Sequence, residues 1–239
     1  MPHRSDLIVG SYNVHKGIGS DRRLDPHRTQ SVIGEIGADL VALQEVDRRF
    51  GDRRGVLDLA ALHAATGLRA VPLSDRLGDL AQGWHGNLIL YRNAELLDAR
   101  VITLPGLEPR GAIVADLRFG PRKLRVIAAH LGLWGNSRRA QARRLADEID
   151  DGTATLMMGD LNEWRQGPGC SLMALKTGLD AIDHAPIVAS FPAQRPMLPL
   201  DRMIGCAKAR IHDLARHDTP LSRLASDHLP IRARLRLTS

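Results

Sequence analysis

Apolar positions fall into short runs separated by polar or helical stretches. Leu7–Val14, Asp39–Val46, Asn87–Arg92, Gly111–Leu117, Lys123–Leu131, Ala154–Gly159 and Ile231–Leu237 read as strands. Pro26–Ile36, Gly55–Thr66 and Ser137–Ile149 read as helices. In the last, Ala140, Leu145 and Ile149 supply an apolar face, and Arg138, Arg139, Arg143 and Arg144 are expected to point outward. Loops are expected at Phe50–Arg54, Ser74–Gly86, Leu104–Arg110 and the proline-rich Ser190–Leu200. Strands outnumber helices and the helices sit between them, which predicts an α/β protein with packed sheets. No repeat, linker or composition shift marks a boundary, so residues 1–239 are expected to form one domain.

Composition narrows the setting. No stretch approaches the ~20 apolar residues of a membrane-spanning helix. Met1 to Asp6 is polar and runs straight into Leu7–Val9, without the apolar segment of a secretory signal, so a soluble, cytoplasmic and monomeric protein is expected. Cys170 and Cys206 are too few for a disulfide framework and lack metal-ligand spacing. The formal charge is +6. Most of it is arginine, which pairs bidentately with phosphate and suits an anionic partner; for any single arginine a solvated surface is the ordinary reading. Aromatics make up only 3%, too few for a stacking platform on single-stranded nucleic acid.

What ends the apolar runs is more informative. Leu7–Val9 leads into Ser11-Tyr12-Asn13-Val14-His15, and Leu40–Leu43 ends in Gln44-Glu45. Val126–Ala129 ends in His130, and Leu156–Met158 ends in Gly159-Asp160-Leu161-Asn162. Pro199-Leu200 precedes Asp201, and Ser226-Asp227-His228 lies near the end of the chain. Catalytic groups are commonly carried at the ends of rigid strands, where they can be placed accurately. Each residue has an ordinary alternative: Asn13 as a turn former, Asp160 and Asn162 as helix caps, His130 as a core histidine, Asp227 and His228 as a turn before Pro230. Together they form a set of hard oxygen donors with two histidines, which suits Mg²⁺ or Mn²⁺ and not a zinc cluster.

The ordered series Tyr12-Asn13-Val14-His15, Leu43-Gln44-Glu45-Val46, Ala129-His130-Leu131, Gly159-Asp160-Leu161-Asn162, Leu200-Asp201-Arg202-Met203 and Ser226-Asp227-His228 resembles the endonuclease/exonuclease/phosphatase superfamily. The match runs from about Leu7 to Leu237 and is most specific at Gly159–Asn162 and Ser226–His228. Within the superfamily the chain is similar to a bacterial branch of small metal-dependent hydrolases, on Gly86–Leu90, Arg110-Gly111-Ala112 and His130–Leu133. The resemblance implies a four-layered α/β/β/α sandwich, two mainly antiparallel sheets with helices outside, and a site at one edge of the sheets. Apurinic endonucleases of the superfamily carry tyrosine where this chain has His130, which makes base-excision repair a poorer match.

The resemblance implies a divalent-metal-dependent phosphoesterase. Glu45, Asn13 and Asp227 are the candidate ligands for Mg²⁺ or Mn²⁺. His130, Asp160, Asn162, Asp201 and His228 are the candidate catalytic residues. Asp201 is expected to orient His228, and either Asp160 or His228 is the general base. Asn87 and Arg110 are weaker candidates for substrate contact. Nucleic acid, DNA or RNA, is the first substrate expectation, supported by Arg48-Arg49, Arg53-Arg54 and Arg138-Arg139 as a basic rim. A lipid headgroup or small-molecule phosphate is the second, and a catalytically inactive binding module the third. Trp84 and Trp134 flank the site loops and could dip into an interface, although core packing is the ordinary job of each.

Overall fold

The computed structural model describes residues 6–48, 51–74, 78, 80–149, 152–175 and 186–238. Arg49, Phe50 and parts of the Ser74–Gly86 loop, named in the sequence reading, lie outside the described residues.

Eleven strands among these residues form two sheets. The first has the order β10-β11-β1-β2-β4-β3, built from Ala209–Arg216, Ile231–Leu237, Asp6–Asn13, Leu40–Gln44, Leu88–Tyr91 and Arg69–Ala70. The second has the order β5-β6-β7-β8-β9, built from Glu95–Leu104, Arg110–Phe119, Arg122–Ala129, Thr155–Asp160 and Asp201–Gly205. Both are mixed. β1 and β2 are parallel, joined by helix α1 (Pro26–Ile36); β7 and β8 are parallel, joined by α3 (Gly135–Ala146). All other pairings are antiparallel.

Period-2 geometry turns alternate residues to opposite faces, and here both faces are covered. Val9, Leu40, Ala42 and Ile89 of the first sheet pack against Ile113, Ala115, Val126, Ala128, Leu156 and Met158 of the second. The alternate residues Tyr12, Val41, Leu43, Leu88 and Leu90 face α1 and α2 (Leu59–Thr66). Val114, Ile127, Met157 and Ile204 face α3. Three apolar interfaces separate four layers, helix, sheet, sheet, helix.

Local chemistry sets the helix ends. Asp25 caps α1 through a 3.2 Å bond from the Arg28 amide, Pro26 opens the helix, and Gly37 closes it in the left-handed conformation. Asp58 caps α2, so that helix begins at Leu59 and not at Gly55 as predicted. The buried side of α3 is centred on Arg138, Gln141, Ala142 and Leu145. Arg138 therefore does not point outward as expected; it is 2% exposed. Its guanidinium finds partners indoors, donating to the carbonyls of Gly132 (3.2 Å) and Leu133 (2.6 Å) and to Ser171 Oγ (3.2 Å), 3.5 Å from Glu163. Trp84 packs against the inter-sheet core with its indole nitrogen donating to Ile102 O, whereas Trp134 is exposed.

Strand order puts one end of both sheets to use. The C-termini of β1, β2, β7 and β8 and the N-termini of β6, β9 and β11 share that end, because the parallel partners run together and their antiparallel neighbours start where they finish. Gly159 sits there with φ +152°, and a side chain on it would meet the carbonyl of Ala129. Gly159→Ala is therefore expected to destabilise the fold by about 3 kcal/mol or more, through a strained backbone and a clash that cannot relax cheaply. Urea unfolding measures it; a loss under about 1 kcal/mol contradicts this packing.

Candidate active site

Six sequence segments meet at this end. Asn13 closes β1, Glu45 follows β2, His130 follows β7, Asp160 closes β8, Asp201 opens β9, and Asp227-His228 lies just before β11. Asp160 is at the centre. Its Oδ2 accepts a 2.9 Å bond from Asn13 Nδ2 and lies 3.4 Å from His130 Nε2 and 3.7 Å from His228 Nε2. Its Oδ1 accepts the Asn162 amide at 3.1 Å. Asn162, at φ +51°, donates its side-chain nitrogen to Leu131 O, tying the Asp160 strand end to the His130 loop.

His228 is held from behind. Its Nδ1 lies 2.8 Å from Asp201 Oδ2, which also accepts Ser190 Oγ at 2.5 Å. The ring of Phe191 packs 4.8 Å from the imidazole. Ser226 Oγ bonds Asn13 O and accepts the His228 amide, stapling the chain's last loop to β1. Burial opposes charge on His228, but Asp201 and Asp160 outweigh it and hold the imidazolium up to about 10. Burial pushes the Asp160 carboxyl up from its ordinary value, with His228 pulling the other way and Asp201 adding to the rise. Burial, with Arg110 nearby, keeps His130 neutral.

Glu45 lies in the left-handed region at φ +57° and pairs with Lys16 Nζ. Burial disfavours its charge, yet the basic groups around it hold its carboxyl below the ordinary value. Because His130 is neutral, Lys16 is the cation that matters here. Asn13 Oδ1 accepts the His15 amide at 3.0 Å. Asp227 is partly exposed, 3.6 Å from His15 Nδ1.

Among the described residues no three His, Cys, Asp or Glu side chains group as a metal cage. The donors present do fit a sparsely liganded hard cation: an ionised carboxylate already facing a positive charge and an amide oxygen one strand away, the small protein ligand set of an ion that keeps several waters. Glu45 and Asn13 would hold such an ion, with Asp227 at the rim.

Asn87 is fully buried, and its amide nitrogen donates to Gly111 O (2.9 Å) and Trp84 O (3.1 Å), joining the two sheets. Arg110 pairs with Glu108 at 2.8 Å beside His130. Lys16 was not singled out from sequence, although it lies beside the Tyr12–His15 segment. Ser226 was named only as part of the Ser226-Asp227-His228 motif and Ser190 only as the start of a proline-rich loop, neither with a role of its own.

The family profile described as Endonuclease/Exonuclease/phosphatase family matches residues 10–228. The chain belongs to the endonuclease/exonuclease/phosphatase family. The uncharacterized protein YbhP of Escherichia coli strain K12 is 32% identical, over 96% of this chain and 96% of its own length. The mannosyl-6-phosphatase of Bacteroides thetaiotaomicron has the same fold, with a TM-score of 0.70 and 15% identity over 96% of this chain and 99% of that one. So does TDP2 from D. rerio, solved with a single strand DNA product, with a TM-score of 0.67 and 18% identity over 97% and 99%. Members of the endonuclease/exonuclease/phosphatase family hydrolyse phosphoester bonds, and this chain is a hydrolase of that class.

The His228–Asp201 pair carries a pH signature. The folded-state value of His228 lies above its unfolded one, so its stabilisation is complete below about pH 6.5 and fades as pH rises through the folded value. Asp201→Asn is expected to cost about 3 kcal/mol near pH 7, with the gap to wild type closing as pH approaches about 10. Thermal melts of both proteins across that range test it; a gap that does not change with pH removes the charged pair.

Proposed function

We propose that the chain hydrolyses a phosphodiester with the help of Mg²⁺ or Mn²⁺. The observation that carries the reading is Asp160, a buried carboxylate facing both His130 and the imidazolium His228 within 4 Å. A bound divalent ion supplies Lewis-acid stabilisation of charge at phosphorus and the leaving oxygen.

The chain's own residues supply the rest. His228, protonated at neutral pH, donates from Nε2 to a non-bridging phosphate oxygen, and Asp201 keeps its ring oriented. A charged imidazole cannot accept a proton, which leaves Asp160 as the group that takes one from the attacking water. Its raised value suits that task. Asn13 and the Asn162 amide fix the carboxylate for the transfer. Neutral His130 donates to the phosphate or to the departing oxygen. Arg110 contributes positive field at His130, and Asn87 holds the sheets in register beneath it.

A nucleic-acid substrate is the second reading. The +6 charge and the fold shared with the DNA-bound TDP2 favour it. The basic rim expected for it is thinner than the sequence suggested. Arg53 pairs with Asp47, Arg54 lies 3.5 Å from Asp52, Arg138 is buried against Glu163, and Arg49 lies outside the described residues.

Hydrolysis of bis(p-nitrophenyl) phosphate is expected with Mg²⁺ or Mn²⁺ and is expected to stop on adding chelator. Asp160→Asn and His228→Ala should each lower kcat by roughly 10²–10⁴. Turnover that survives both substitutions contradicts the assignment. Nicking of plasmid, single-stranded DNA and RNA at low and moderate salt decides the second reading.

A further inference from the structure

The rim beside His130 exposes large apolar side chains. Leu107 is 82% exposed, Leu133 65%, Trp134 64% and Trp164 44%. They belong to three loops at the site end of the second sheet: β5 to β6, β7 to α3, and the one after β8. The loops are tied to one another. Leu133 N donates to Glu108 Oε1 at 2.8 Å, Leu107 N reaches Ser137 Oγ at 3.4 Å, and buried Arg138 grips Leu133 O while its guanidinium sits 5.8 Å from the Trp164 ring. The apolar side chains are therefore held out on braced backbone.

Exposed apolar side chains gathered at one place mark a contact surface. Two of the four are leucines, which have no ring to stack on a base, so a nucleic acid gives them nothing. Transfer out of water into the acyl boundary of a bilayer does favour them, and tryptophan prefers the headgroup level. Arg165 is exposed with its guanidinium 5.1 Å from the Trp164 ring, and Arg139 and Arg143 are exposed on α3, the helix that Trp134 precedes. Guanidinium groups around an apolar patch complement anionic phospholipid.

We propose that the Leu107–Leu133–Trp134–Trp164 rim docks on an anionic phospholipid surface and presents the site to a phosphodiester held at that surface. The chemistry at that substrate rests on the phosphodiesterase reading; the docking does not.

Sedimentation of the full chain with vesicles tests it, using phosphatidylcholine alone and phosphatidylcholine with equal phosphatidylglycerol. Wild type is expected to pellet with the anionic vesicles, less so as salt rises, and poorly with phosphatidylcholine alone. The double substitution Leu107→Ser and Leu133→Ser should weaken that binding about tenfold, with an unchanged melting curve and unchanged turnover of soluble bis(p-nitrophenyl) phosphate. A blue shift of the emission should accompany binding, and Trp134→Phe should reduce it. The proposal is overturned if wild type stays in the supernatant with both vesicles, or if the double variant pellets like wild type. A response of Trp134 to oligodeoxythymidylate but not to vesicles also overturns it and assigns the rim to nucleic acid. Pelleting is read without turnover, so an inactive but vesicle-bound protein would sink the phosphodiesterase reading and leave the docking intact.

Discussion

The carboxylate of Asp160 is buried where two sheets meet, and a buried carboxylate is tolerable only with partners. Asn13, His130, His228 and the Asn162 amide surround it, and they arrive from both sheets and from both ends of the chain. The rest of the site is arranged around this requirement. Asp201 holds His228 facing Asp160, Ser190 and Ser226 hold Asp201 and the His228 loop, and the cost of three ionisable groups in low dielectric is offset only when all of them are in place.

The sheet topology is what makes the convergence cheap. Each sheet holds one parallel pair joined by a helix, and each pair delivers two polar residues to the same end: Asn13 and Glu45 from β1 and β2, His130 and Asp160 from β7 and β8. The antiparallel neighbours β9 and β11 start at that end and so bring Asp201 and His228. The helices stay on the outer faces, out of the way of the substrate. Arg138 reaches from α3 beneath the loops after β7 and β8 and fixes their heights through Gly132, Leu133 and Glu163.

Strands built on an unbroken apolar run were legible in the sequence: Leu40–Leu43 and Leu156–Met158 are examples, and the polar residues that end them were readable as site candidates. Edge strands were not. β5 and β10 each lie at the margin of a sheet and mix exposed with half-buried positions, so neither period nor hydrophobicity sets them apart from loop. Helix α4, Pro220–Ala225, is too short for a periodic signal and announces itself only by the Thr219–Ser222 capping box. At the site, residue type singled out Glu45, Asp160 and His228, which the fold brings to the same end of the sheets, but arginine was misleading. Charge in a sequence says nothing about burial, and Arg138 is internal because backbone carbonyls of the 132–133 loop need its donors.

The charge states of the two facing histidines test the arrangement most directly. Nitrogen-15 NMR of the imidazole side chains near pH 7.5 should show His228 as an imidazolium with both nitrogens protonated and His130 as a neutral ring. Two neutral rings, or two histidines titrating together near pH 6.5, would contradict an Asp160-centred site built on a charged His228.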